Sequence, residues 1–337
     1  MVLRVGVDLG TANTNVYLPG KGVVITEPTV VAYDEYSQKI IAVGKEAKEM
    51  IGKTPEEIKI YRPLREGVIA DYKATLAILK YFLSKLKITR FIKPILVVSV
   101  PAGITSTEKR AIVDAGLEAG AKEVYPIKEP ILAALGAEMP IQSPLGNMIV
   151  NIGGGTTEIA VISLGGVVSF ESLKIAGDRM DEAIKEYLRR KFNLAVGEKT
   201  AEKIKMEIGS AILKHNNHEN SLSMEVSGVD LITGLPKQIK LYSYQVAESL
   251  QKDLREIVNG IKRVLAETLP ELVADIMGNG MFISGGGALL RNIDVLISQN
   301  TGVKASVVDD PLYAVARGTG KVLEKIDVYT KLLQGHL

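Results

Sequence analysis

Apolar and polar positions alternate along this chain in two rhythms, and the rhythms change places twice. Leu3 to Gly10 and Asn15 to Leu18 predict two strands around a loop, and Gly22 to Ile25 and Thr29 to Tyr33 continue as short β segments, so the chain opens as a β-meander. From Asp71 to Lys87 the residues Leu76, Ile78, Leu79, Phe82, Leu83 and Leu86 recur at helical spacing, and Pro94 to Val100 is then an apolar run suited to a buried strand. Thr105 to Ala119 predicts a helix capped by Thr105 or Ser106 with Glu108 in its first turn. A short strand, Glu123 to Ile127, and a helix, Pro130 to Glu138, follow, with Pro130 suited to the first helical position.

After the connector Pro140 to Pro144 the same grammar restarts: strand, glycine loop, strand, a Gly165-Gly166 turn and another strand. Helices are expected over about Asp178 to Phe192, Lys199 to Lys214 and Ser243 to Thr268, with a polar β excursion from Ser221 to Leu241. Met281 to Ser284 predicts a strand leading through Gly285, Gly286 and Gly287 into a helix, and a last helix spans Pro311 to about Lys325. The segment VGVDLGTANTNVYL (5 to 18) aligns without gaps with NMIVNIGGGTTEIAVIS (147 to 163), placing Asp8 on Asn151, Gly10 on Gly153, Asn13 on Thr156 and Thr14 on Thr157. A repeat of this length predicts one α/β fold duplicated, its halves facing each other.

Composition narrows the functional classes. At 337 residues, 46% hydrophobic and 24% charged, the chain has the make-up of a soluble globular protein with room for two cores. A formal charge of +2 gives no whole-chain argument for nucleic acid, and the lysines are dispersed without an aromatic platform. Zero cysteines exclude disulfides and thiol chemistry. No basic-then-apolar leader opens the sequence and no apolar run reaches the ~18 residues of a membrane span, so a protein neither secreted nor integral is expected.

A strand ending in Asp-x-Gly or Asn-x-Gly that returns through a Thr-rich strand makes a turn whose amides and hydroxyls can cradle phosphate. Either glycine loop alone reads more readily as a hairpin with glycines for geometry; two copies at matching positions reverse that and favour a phosphate site. Neither is a Walker A loop, since no Lys-Ser or Lys-Thr follows, nor a dinucleotide fingerprint, since each leads into a strand. The third cluster, ISGGGALLRN at 283 to 292, runs strand, glycines, helix, so its backbone could approach a flat base or phosphate. His215 and His218 in HNNHEN lack a third ligand and read as a loop.

DLGTANT (8 to 14), IKEP (127 to 130), NIGGGTTE (151 to 158) and ISGGGALL (283 to 290) resemble the two phosphate loops, the connector and the adenosine loop of the actin-like ATPases. GKGVVITEPTVVA, REGVIADY, AIVDAGLEAGA, IAGDRMDEAI and SGVDLITGLP further resemble the MreB family, over nearly the whole chain. The resemblance implies a duplicated actin-like (ribonuclease H-like) α/β fold. One lobe would comprise residues 1–139 plus 309–337, with a small subdomain at about 32–66, and the other 140–308, with a small subdomain at about 180–243. ATP or ADP with Mg²⁺ would lie between them.

By the same resemblance, Gly10, Thr11, Ala12 and Asn13 take one side of the phosphates and Gly153, Gly154, Gly155 and Thr156 the other. Gly177, Glu202, Lys205 and Gly285 to Gly287 serve ribose and base. Asp8 and Asn151 reach Mg²⁺ through water, while Glu129 and Thr156 orient the attacking water. From the residues alone, Glu129 reads as a solvated acid at the helix that Pro130 opens, and Glu202 with Lys205 as an i,i+3 surface pair. Two departures stand out: MreB proteins usually carry Asp where Asn151 stands and Glu where Lys128 stands. Asn keeps an acceptor but loses the charge that strengthens hydrogen bonds, so slow hydrolysis is expected, and Asn151→Asp should raise turnover.

The segment SKLKITRFIKP (84 to 94) sets Phe91 and Ile92 among cations and resembles the membrane-insertion loop of the family; read alone, the pair could equally cover a core edge. Implied partners are copies of the same chain in filaments, an anionic membrane surface on the cytoplasmic side, and other shape or motility proteins, with no nucleic acid. A sugar kinase of the same fold and a nucleotide-binding filament with negligible hydrolysis remain as alternatives.

Overall fold

A computed structural model describes residues 3–65, 68–69, 71–86, 93–213, 222–326 and 328–329. Two five-stranded sheets organise it. The first holds β1 (Arg4–Leu9), β2 (Asn13–Leu18), β3 (Gly22–Pro28), β4 (Ile95–Val100) and β5 (Glu123–Lys128). The second holds β6 (Asn147–Ile152), β7 (Thr157–Ser163), β8 (Gly166–Leu173), β9 (Met281–Ser284) and β10 (Ala305–Val307). Their spatial orders are β3-β2-β1-β4-β5 and β8-β7-β6-β9-β10. In each, the first three strands form an antiparallel meander and the last two run parallel to the first. The duplication read from the sequence is therefore a duplication of topology. The central strands are near-continuous apolar runs because both of their faces are covered: every residue of β4 and β6 is buried.

What joins the lobes is a shared core. Helices Glu129–Gly136 and Ala314–Glu324 lie between the sheets, and Ile131, Leu132, Leu135, Val315, Val322 and Leu323 pack with Val97 and Ile127 of the first sheet and Ile149 and Ile162 of the second. The helices cross at backbone contact: a Cβ on Gly136 would fall 1.8 Å from the Ala314 carbonyl oxygen, and one on Gly318 would fall 1.9 Å from that of Leu132. Only glycine admits so close a crossing, since ordinary side chains hold helix axes about 8–10 Å apart.

Above each sheet sits a smaller unit. One pairs strands Val31–Asp34, Lys39–Val43 and Ile58–Tyr61 with helix Lys45–Met50. The other pairs Leu194–Ala195, Ser223–Asp230 and Pro236–Tyr242 with helices Gly177–Phe192 and Glu198–Ile208.

Several element ends differ from the sequence expectation for local reasons. The helix expected to run to Lys214 stops at Ile208, where Gly209 turns extended and Ser210 bridges to Arg291. A separate helix, Pro270–Asn279, follows the long helix Ser243–Glu267, opened by Pro270 at its start. Glu129 is the first residue of its helix rather than a solvated residue outside it. Residues 286–289 form a single 3-10 turn, and the next helix begins only at Ile293, so the third glycine cluster does not run directly into a helix. The Thr105 cap forms as expected, with Glu108 completing a reciprocal capping box.

Gly318→Ala should cost about 1–3 kcal/mol, because the methyl group meets backbone that no rotamer change relieves. Urea unfolding checks it, and a midpoint equal to that of the unaltered protein would mean the helix crossing relaxes freely.

Candidate functional site

The two glycine loops meet face to face on the floor of the cleft. The first, between β1 and β2, is pinned by Thr29, which donates its hydroxyl to the Gly10 carbonyl (2.6 Å) and its N–H to the Ala12 carbonyl (3.0 Å). The second, between β6 and β7, closes on itself through Gly153 N–H to the Thr156 carbonyl (2.9 Å). Helix Gly177–Phe192 stacks behind it, Gly177 N–H donating to the Gly153 carbonyl (3.1 Å) and Asp178 N–H to that of Gly154 (2.8 Å). A Cβ on Gly154 would lie 2.5 Å from the Ala12 side chain, and one on Gly155 2.8 Å from the Thr11 hydroxyl. The glycines therefore serve the approach of one loop to the other. Thr11 and Thr156 are buried, Ala12 half-buried and Asn13 exposed.

Beneath the loops, each sheet carries a polar row on neighbouring strands. In the first, Asp8 accepts from Asn15 Nδ2 on β2 (3.0 Å) and from the Ser99 hydroxyl on β4 (3.0 Å). In the second, Ser172, Glu158, Asn151 and Ser284 stand in register across β8, β7, β6 and β9. Ser172 donates to Glu158 Oε1 (2.5 Å) and Ser284 to Asn151 Oδ1 (2.8 Å). Two bonds cross between the lobes here: Asn151 Nδ2 donates to Glu129 Oε1 (2.6 Å), and Ala102 N–H donates to Glu158 Oε2 (3.1 Å).

Three acids thus crowd one place, Asp8 and Glu158 buried and Glu129 half-buried. Burial pushes Asp8 up to about 6, against the hydrogen bonds of Asn15 and Ser99. Burial first, then the charges of Asp8 and Glu158, push Glu129 well above the usual carboxylate range, with the Asn151 hydrogen bond acting the other way. Burial also raises Glu158, opposed by Ser172 and Ala102. Among the described residues no group of three or more His, Cys, Asp or Glu is arranged to hold a metal by itself. That pattern fits Mg²⁺, which takes one or two carboxylates and completes its shell with water and phosphate, and whose charge would offset these acids.

Cations bridge the cleft higher up. Arg62, from the small unit of the first lobe, pairs with Asp178 and donates to Glu198 (2.9 Å) of the second, and Lys48 lies 3.3 Å from Glu202. Lys205 donates to the Gly177 carbonyl (2.8 Å) and sits 2.8 Å from Asp181, a buried acid that burial raises to about 6 despite it. A cavity of about 410 Å³ opens between Tyr61 and Arg62 on one side and Asp178, Asp181 and Lys185 on the other.

The structure thus brings Asp8, Glu129, Asn151 and both glycine loops together, with Gly177, Glu202 and Lys205 on the second lobe's side. Gly285 and Gly287 back onto Ile152: added Cβ atoms would lie 2.3 Å and 2.2 Å from it, so their first task is packing. A Cβ on Gly286 would lie 3.2 Å from Leu312. Phe91 and Ile92, like His215 and His218, lie outside the described residues. Ser99, Asn15, Glu158, Ser284, Lys48 and Arg62 join the site without having been singled out. For Glu158 the signal was an acid inside the otherwise apolar strand TEIAVIS.

The sequence matches the family described as MreB/Mbl protein over residues 3–331. It is 47% identical over 329 residues to the cell shape-determining protein MreB of Pasteurella multocida, covering 96% of this chain and 93% of that one. It is 45% identical over 328 residues to the cell shape-determining protein Mbl of Bacillus subtilis, covering 97% of each. Among solved structures, MreB5 of Spiroplasma citri bound to AMPPNP superposes with a TM-score of 0.92 at 38% identity, covering 98% of both chains. The same protein bound to ADP gives 0.91 at 38% identity, over 98% of this chain and 99% of that one. The MamK double helical filament, at 22% identity and a TM-score of 0.80 over 96% and 99% of the two chains, shares the fold. With its duplicated sheet and paired glycine loops, and matched over residues 3–331, this chain belongs to the MreB/Mbl family of actin-like, cell shape-determining cytoskeletal proteins.

Proposed function

We propose that this chain binds ATP with Mg²⁺ between its lobes, hydrolyses it slowly, and assembles with copies of itself into filaments on the cytoplasmic face of the membrane. The observation that carries the reading is the apposition of the two matched loops above Asp8 and Glu129. Gly10 to Asn13 and Gly153 to Thr156 would offer their amides and hydroxyls to the phosphates from opposite sides. Asp8 would reach Mg²⁺ through water, Glu129 and Thr156 would orient the attacking water, and Gly177, Glu202, Lys205 and Gly285 to Gly287 would line the ribose and base. Mg²⁺, when bound, supplies positive charge to the phosphates and to the acids around it. Phosphoryl transfer of this kind depends on positioning and electrostatics more than on covalent chemistry. The related MreB5, solved with both AMPPNP and ADP, supports a nucleotide in this cleft.

Filament formation and membrane attachment rest on the family and on sequence. Among the described residues no helix is long and apolar enough to cross a membrane. Attachment would come instead from Phe91 and Ile92, which follow helix Tyr72–Lys85 in the chain and whose burial contributes about 3–6 kcal/mol per copy. Many copies along one filament turn that into firm attachment. Other shape or motility proteins are the further partners this reading admits.

Three measurements test it. Glu129→Gln should lower the rate of phosphate release about 10²-fold while ATP affinity stays within about threefold; unchanged release would remove Glu129 from the chemistry. Arg62→Ala should quicken nucleotide dissociation about fivefold, the loss of about 1 kcal/mol of pairing across the cleft. Stopped-flow release of a fluorescent nucleotide reads this, and an unaltered rate would mean the ion pairs do not hold the lobes. The Phe91→Ser, Ile92→Ser double variant should stop pelleting with anionic liposomes in the presence of ATP, and pelleting at the original level would end the membrane assignment.

A further inference from the structure

The duplicated sheets place Asp8 and Asn151 at equivalent positions, and the two rows differ there, carboxylate against amide, and across the hairpin, where Asn15 is matched by Glu158. In the first, Ser99 on the parallel neighbour strand donates to Asp8, and Asn15 across the hairpin donates to it as well. In the second, Ser284 stands where Ser99 does and donates to Asn151, which stands where Asp8 does. The lobe-one residue only accepts. Asn151 accepts at Oδ1 and passes a hydrogen on from Nδ2, 2.6 Å from Glu129 Oε1 in the other lobe.

Its orientation follows from its surroundings. A flipped amide would aim Oδ1 at a carboxyl oxygen of Glu129 and lose that bond, so the network assigns the nitrogen to Glu129. Ser284, 0% exposed, and Asn151, 1% exposed, have no water to exchange with. Gly285, at φ +82°, keeps the passage open: a Cβ there would lie 2.9 Å from Asn151 Oδ1.

We infer that Asn151 is a positioning residue for Glu129, holding Oε1 through its amide, and that Ser284, donating to Oδ1, anchors that amide. This rests on the proposed role of Glu129 in orienting water. An aspartate at 151 accepts from Ser284 equally well but has no hydrogen for Glu129, and it adds a charge beside Asp8 and Glu129. The two readings of Asn151 therefore predict opposite signs. As a weakened carrier of the Mg²⁺ water shell, Asn151 would be improved by Asp. As the holder of Glu129, it would be impaired.

The experiment is phosphate release at saturating ATP and Mg²⁺ for Ser284→Ala, Asn151→Asp and the double variant, with ATP affinity and thermal melting measured on each. Ser284→Ala and Asn151→Asp should each lower kcat about tenfold with KM within about twofold. The double variant should be no slower than Asn151→Asp, since Ser284 acts through the amide. The ¹⁵N side-chain amide resonance of Asn151, identified by its loss in Asn151→Asp, should move in both Ser284→Ala and Glu129→Gln without nucleotide. Faster release by Asn151→Asp, or Ser284→Ala turning over like the unaltered protein with its amide resonance unmoved, overturns the inference. Undiminished release by Glu129→Gln would instead bring down the catalytic reading of Glu129 on which it rests.

Discussion

The site depends on how close two sheets can come without touching. Helices Glu129–Gly136 and Ala314–Glu324 occupy the space between them, and their glycine-lined crossing sets the spacing at backbone contact. A close-packed interior transmits small changes of angle as rigid displacements instead of absorbing them. The loops at the strand ends inherit that spacing: Gly154 against Ala12 and Gly155 against Thr11 leave no room for a β-carbon. Glu129 belongs to one of the two spacer helices, so the residue assigned to orient water is built into the element that sets the distance between the lobes.

Electrostatics pull the other way. Asp8, Glu129 and Glu158 lie together, and lost hydration raises all three above their ordinary values, Glu129 further through the charges of the other two. They are held there by donors: Asn15 and Ser99 to Asp8, Ser172 and the Ala102 amide in the turn after β4 to Glu158, and Asn151 to Glu129. Higher in the cleft the signs are balanced, Arg62 and Lys48 meeting Asp178, Glu198 and Glu202. The lobes are thus drawn together at the mouth by pairs that are partly exposed and individually weak, while the floor carries an excess of negative charge that a dication and phosphate-binding amides suit. Glu202 pairs with Lys48 across the mouth, so any ligand that engaged this carboxylate would compete with that pair.

The sequence made the duplication legible because its signal is local: an apolar strand, a glycine loop and a second strand occur twice with equivalent residues at equivalent offsets. The same locality made Gly10, Gly153 and Glu129 findable. What it could not show is long-range pairing. Arg62 meets residues more than a hundred positions away, and Ser284 reaches Asn151 across 133. Nothing in the neighbourhood of either residue announces that partner. The third glycine cluster failed in the opposite direction: its local pattern suggested a ligand-facing turn into a helix, whereas Gly285 and Gly287 answer first to the carbonyl and side chain of Ile152. Glycine marks a close approach, and sequence alone does not say to what.

Asn151, standing where Asp8 stands in the first lobe, shows why chemistry at one position is decided by its third neighbour. Judged against Mg²⁺ alone, the amide is a weaker residue than the carboxylate, because a neutral acceptor holds a hydrated dication less firmly. Judged against Glu129, it is the better one, because a carboxylate placed 2.6 Å from another carboxyl oxygen would need a proton between them. The two lobes divide these tasks: the first keeps a pure acceptor at the end of its leading strand, Asp8, with donors on both sides, and the second keeps a residue that both accepts and donates. Two identical halves would have two acids facing the third. Making one half an amide relieves that repulsion and ties the second lobe to the helix that spaces both.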